Sequence, residues 1–62
     1  MKYNIFKGDN INSNRWELID EETFKSQLLA GDIIRLVDEE FRIIKVVLTP
    51  GDICGNIYVI PN

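Results

Sequence analysis

Ile33-Ile34-Arg35-Leu36-Val37-Asp38-Glu39-Glu40-Phe41-Arg42-Ile43-Ile44-Lys45-Val46-Val47-Leu48 is the stretch that decides the fold. Two runs dense in β-branched and aromatic residues flank three consecutive acids. Such runs read as strands, here Ile33–Val37 and Phe41–Leu48. Asp38-Glu39-Glu40 between them predicts a tight hairpin turn. Side chains alternate along a strand with period two, so the register decides which residues share a face. A two-residue turn at Glu39-Glu40 puts Ile34 and Leu36 on one face with Phe41 and Ile43. Ile33, Arg35, Val37, Arg42, Ile44 and Val46 then share the other face. A three-residue turn shifts the pairing by one and changes the partners. Both registers leave apolar residues on both faces of the hairpin.

Working towards the N-terminus, Gly31 suits a left-handed position that ends a helix. Asp20 suits an N-cap, and Glu21 and Glu22 fall where a helix dipole favours anions. Phe24 and Leu28 sit four apart. Residues 21–30 are therefore predicted to form one short amphipathic helix, too short to stand without packing on a sheet. Arg15–Ile19 alternates around Trp16 and Leu18 and predicts a strand. Gly8–Asn14 is rich in turn-forming residues and predicts a loop that Ile11 pins down. Tyr3–Lys7 predicts a first strand, able to pair with Arg15–Ile19 as a hairpin. Working towards the C-terminus, Pro50-Gly51-Asp52 predicts a turn. Ile53–Asn56 belongs to that loop or starts the final strand. Ile57–Ile60 is that strand, and Pro61 ends it.

The resulting order is β-β-α-β-β-β. It describes an α+β chain, mainly β: a small antiparallel sheet, or a partly open barrel of about five strands with one short helix. In its brevity and strand–turn pattern it resembles SH3-like small barrels in general. The chain is 62 residues long and is expected to form a single small domain over residues 1–62. A chain of this size buries only about 60% of its unfolded surface. The apolar content of 45% argues against disorder. One short helix does not cover both faces of the central hairpin. Either the sheet curls into a barrel or a second molecule covers the excess.

Composition also limits the chemistry. There is no His and only one Cys, which removes the usual general base, any Cys/His zinc site and any internal disulfide. The Asp20-Glu21-Glu22 and Asp38-Glu39-Glu40 triplets lack the ligand spacing of a calcium loop. They are expected to be a helix start and a solvated turn. Ser13, Ser26, Thr23 and Thr49 lack a nucleophile context, and Cys54 has no base to activate it. No enzyme activity, cofactor or metal is expected. The N-terminus has no apolar run of a signal peptide, and no stretch approaches the ~18 apolar residues of a membrane span. The expected location is the cytosol, with no membrane partner. The wealth of Asn, Ile and Lys is the bias of AT-rich microbial or phage genomes.

Two functions remain. The first is a non-catalytic protein-binding module, an adaptor or inhibitor of phage- or mobile-element-like character, acting through a β-sheet surface. Its expected contact residues are Ile33, Arg35, Val37, Arg42, Ile44 and Val46, used for a protein partner or for self-association as a homodimer. An exposed edge, Tyr3–Lys7 or Ile57–Ile60, is a further candidate for pairing with a partner strand. The alternative is a nucleic-acid-binding small barrel using Arg15, Trp16, Arg35, Arg42 and Lys45, with Tyr58 as a second stacking ring. The net charge of -3 weighs against it, because phosphate contacts draw on clustered cations.

Overall fold

The computed structural model describes residues 1–49 and 54–62. Five strands form where β-branched and aromatic residues recur: β1 (Lys2–Lys7), β2 (Glu17–Thr23), β3 (Ile33–Leu36), β4 (Glu39–Leu48) and β5 (Cys54–Pro61). They make one sheet in the order β2-β1-β5-β4-β3. Neighbours are antiparallel except β1 and β5, which run parallel. The last strand is thus the middle of the sheet, with β1 and β4 on either side, and β2 and β3 form its edges.

Two β-bulges curl this sheet into a half-barrel. Between β1 and β2 the register steps from Ile5↔Asp20 to Phe6↔Leu18, leaving Ile19 as the extra residue. Between β4 and β5 it steps from Ile43↔Val59 to Lys45↔Tyr58, leaving Ile44 as the extra residue. A bulge bends its strand and sharpens the local twist. The concave face collects Tyr3, Ile5, Ile43, Ile57 and Val59, all fully buried, with Ile34, Leu36 and Phe41 around them. Each such fully buried side chain contributes about 1.5–3 kcal/mol of transfer free energy. No side chain of a polar or charged residue is buried among the described residues.

The predicted helix is not present. β2 extends to Thr23, and Phe24–Ala30 contains no helical turn. Pairing with β1 captures this segment: Lys2 faces Thr23 and Asn4 faces Glu21 across the ladder. Phe24 and Met1 exchange backbone hydrogen bonds at 2.8 and 2.7 Å. Long-range pairing outweighs a local helix preference worth a few tenths of a kcal/mol per residue. The apolar spacing still has meaning, because Phe24 and Leu28 both pack against the core. The Leu28 N–H donates to Tyr3 Oη at 3.1 Å. Gly31 does adopt a positive φ of 98°, in a turn before β3 rather than at a helix end. Asp20 caps nothing; it lies within β2.

The hairpin turn is also displaced from the expected acids. β3 and β4 pair Leu36 with Glu39, so the two-residue turn is Val37-Asp38. Ile34, Leu36, Phe41 and Ile43 nevertheless share the concave face, as the two-residue reading requires. The bulge at Ile44 then inverts the alternation. It turns Val46 inward against the core and Lys45 outward. The expected turn at Pro50-Gly51-Asp52, and Ile53, lie outside the described residues. Cys54 starts β5.

Candidate protein interface

A curled sheet that does not close has an open side. No Cα of β2 comes within 8 Å of any Cα of β3. Paired strands stand about 4.8 Å apart, so the two edges are not hydrogen-bonded across the gap. β2 is solvent-exposed at all seven residues. Which of its backbone groups are free follows from the ladder. Met1 and Phe24 exchange both backbone bonds, so their neighbours alternate between bonded and outward positions. Thr23 and Glu21 consequently point N–H and C=O away from β1. The outward Glu21 N–H is met only by the carboxylate of the preceding residue, Asp20 Oδ1, at 2.8 Å.

The gap opens into a hollow of about 610 Å³ at one end of the half-barrel. Ile19, Leu36, Val37 and Phe41 supply its apolar wall, and Lys7, Asp20, Asp38 and Glu39 its polar rim. The Lys7 ammonium sits 5.8 Å from the Phe41 ring centroid, on the ring face that attracts a cation. Ile19 reaches this wall because it is the bulged residue of β2. Val37 is 93% exposed and holds a positive φ of 56°. That conformation is rare for any residue with a branched Cβ.

The convex face carries the other grouping. Alternation and register place Lys2, Phe6, Arg35, Arg42, Lys45 and Tyr58 there. Phe6 and Tyr58 stack at 5.2 Å between centroids, and Trp16 meets Tyr58 edge-on at 5.5 Å. The Lys45 ammonium lies 5.7 Å from the Tyr58 centroid. Ile11, Ser13 and Ile44 join Trp16, Tyr58 and Lys45 around a second hollow of about 500 Å³. Two carboxylates share this face. Glu21 binds Lys2 at 2.8 Å, which raises the Lys2 pKa through that hydrogen bond and its charge. Glu40 stands opposite Arg35.

The six residues expected to contact a partner are thus divided. Ile33, Arg35 and Arg42 share the convex face, with Ile33 and Arg42 directly paired. Ile44 is half-buried beside Trp16 and Tyr58. Val37 is at the hairpin tip, and Val46 packs inward. Of the residues expected for nucleic acid, Trp16 and Lys45 meet at one hollow and Arg15 lines an adjacent one with Trp16. Arg35 and Arg42 lie farther along the same face. The two strands expected to present free edges, Tyr3–Lys7 and Ile57–Ile60, are central instead. Their parallel pairing, Lys2↔Cys54 through Lys7↔Val59, occupies both. Sequence reasoning missed β2 as the edge and Ile19 as a wall residue. The signal was available in Glu17–Thr23, whose acids read as a helix start but also suit an exposed edge strand. Among the described residues no group of three or more His, Cys, Asp or Glu side chains is placed to hold a metal. No described helix is long and apolar enough to cross a membrane. The chain matches no protein-family model, no curated protein and no solved structure with which it was compared.

Proposed function

We propose that this chain is a small cytosolic, non-catalytic protein-binding module, an adaptor or inhibitor that works by occupying a surface of its partner through its sheet. The observation that carries the reading is the open side of the half-barrel. A seven-residue edge strand is exposed throughout, has outward backbone groups, and flanks a hollow in which Ile19 and Val37 stay exposed beside the buried Leu36 and Phe41. Unpaired strand edges of this kind recruit extended segments of other chains. The test is affinity capture from host extract with wild type and Thr23→Pro. The Thr23 N–H points away from β1, so proline there removes an edge donor and leaves the β1 ladder whole. The expected result is a protein retained by wild type in nuclease-treated, high-salt extract and lost by a Thr23→Pro variant with unchanged circular dichroism. Equal capture by both, or capture that vanishes with nuclease, refutes the reading.

A second reading, a single-stranded nucleic-acid surface, is favoured by one arrangement: Trp16, Tyr58 and Lys45 around one hollow of the convex face. Stacking rings beside cations suit bases and phosphates. Oligonucleotide affinity that falls steeply with salt would support it over the first.

A further inference from the structure

The acidic side chains are unevenly placed. Seven of the ten, namely Glu17, Asp20, Glu21 and Glu22 on β2 and Asp38, Glu39 and Glu40 on the hairpin, lie on the two elements that border the open side; Asp20, Asp38 and Glu39 line the hollow, and Glu21 and Glu40 lie on the convex face. β2 itself contains no cation. Lys7, Arg35 and the paired Lys2 are the nearby positive groups. A second copy of this chain is a poor occupant, because β2 against β2 sets carboxylate opposite carboxylate. Its most cation-bearing strands, β1 and β4 with two cations each, are not free either, since each is paired on both sides.

We propose that the open side takes one extended, basic segment of another protein, added as a strand along β2 at Glu21 and Thr23. Lysine or arginine side chains of that segment turn towards the hollow, where the pairing of Asp20 with Ile5 and of Glu22 with Tyr3 places the β2 carboxylates not taken by Lys2, and where Asp38 and Glu39 form the rim. The apolar stems of those side chains pass over the exposed Ile19 and Val37, while the alternate residues turn away from the hollow, as strand period dictates. The separation of β2 from β3 exceeds 8 Å, so the added strand does not have to displace a paired edge. Asp20 Oδ1, which accepts the outward Glu21 N–H, stands in for the carbonyl that the incoming strand supplies. This inference rests on the protein-binding reading and adds the chemistry and conformation of the partner.

The probe is a synthetic ten-residue peptide alternating lysine with valine, set against its glutamate counterpart and a single-stranded oligonucleotide. Binding is read by amide chemical-shift mapping and by fluorescence anisotropy at low salt. The expected result is shifts confined to Glu17–Thr23, Ile33–Leu36 and the hairpin, with the Glu21 and Thr23 amides newly protected from exchange. The lysine peptide binds at least about tenfold tighter than the glutamate one, as complementary rim charges allow. A double variant, Asp20→Asn with Glu22→Gln, weakens it about tenfold, while Thr23→Pro abolishes the protection. Equal binding of both peptides, shifts on the convex face, or dimerisation through β2 overturns the inference while leaving protein binding standing. Silence to both peptides, with oligonucleotide shifts at Trp16, Lys45 and Tyr58, overturns the protein-binding reading as well.

Discussion

Val37→Gly isolates the cost of the hairpin tip. Val37 and Asp38 form the two-residue turn between Leu36 and Glu39. Among the described residues the positive φ falls on Val37 alone of the non-glycine residues, as at the first position of a type II′ turn, where glycine is the usual residue. Holding a β-branched residue there costs about 1–3 kcal/mol. The side chain recovers little of this, since it is 93% exposed. Glycine removes the strain but adds unfolded-chain entropy of about 0.5–1 kcal/mol. The net expectation is a stabilisation of about 1 kcal/mol. With an unfolding entropy of about 2 cal/mol/K per residue, a chain of 62 residues converts that into a rise in Tm of about 8 °C. Differential scanning calorimetry measures it directly. Val37→Ala retains a Cβ at positive φ and should recover only part of the gain. A Tm for Val37→Gly at or below wild type would refute the strain argument, and would mean that Val37 contributes packing its exposure does not reveal.

Other substitutions test the remaining contacts. Gly8→Ala would place a Cβ 2.6 Å from Trp16 Cζ3 and 2.9 Å from Ser13 Cβ, so it should destabilise by about 1–3 kcal/mol in urea titrations and shift the fluorescence of Trp16. Tyr3→Phe leaves the Leu28 N–H without its acceptor and should cost about 1 kcal/mol, whereas Leu28→Ala, losing part-buried apolar contact, should cost about 1–3 kcal/mol by the same titration. Ile44→Glu should keep the circular dichroism of the sheet, because Ile44 lies outside the concave core, yet red-shift Trp16 by wetting the convex hollow; an unfolded variant would contradict that placement. The Lys2 pKa is raised in the folded chain by Glu21, so the pair's contribution is intact at neutral pH and is lost as pH rises through the lysine range; Tm should not fall between neutral pH and about pH 9 on its account.

The parts of the fold legible from sequence are those set by patterning alone. The β3–β4 hairpin was readable because alternation around Ile34, Leu36, Phe41 and Ile43 survives the shift of the turn from Glu39-Glu40 to Val37-Asp38. The turn itself was not readable, because Val is not a turn-forming residue, and only cross-strand pairing forces Val37 to positive φ. Residues 20–24 illustrate a different limit. Asp20, Glu21 and Glu22 suit a helix start, and they equally suit an edge strand that must resist self-association. The choice between the two is made by β1, which lies some twenty residues earlier in the chain and offers Met1–Asn4 as a ladder.

The site was less legible, and the reason is the bulges. A single extra residue inverts every later assignment of inside and outside. On β4 it separates Val46 from Arg42, although spacing alone puts them on one face. On β2 it turns Ile19 to the hollow while Leu18 remains opposite Phe6. Both bulged residues are isoleucines, and each lines one of the hollows that flank the sheet. The same two residues therefore curl the sheet, leave its edges apart, and deliver apolar side chains to the surfaces where a partner can reach them. Architecture and the proposed binding surface have a common origin here, which no reading based on strict alternation can recover.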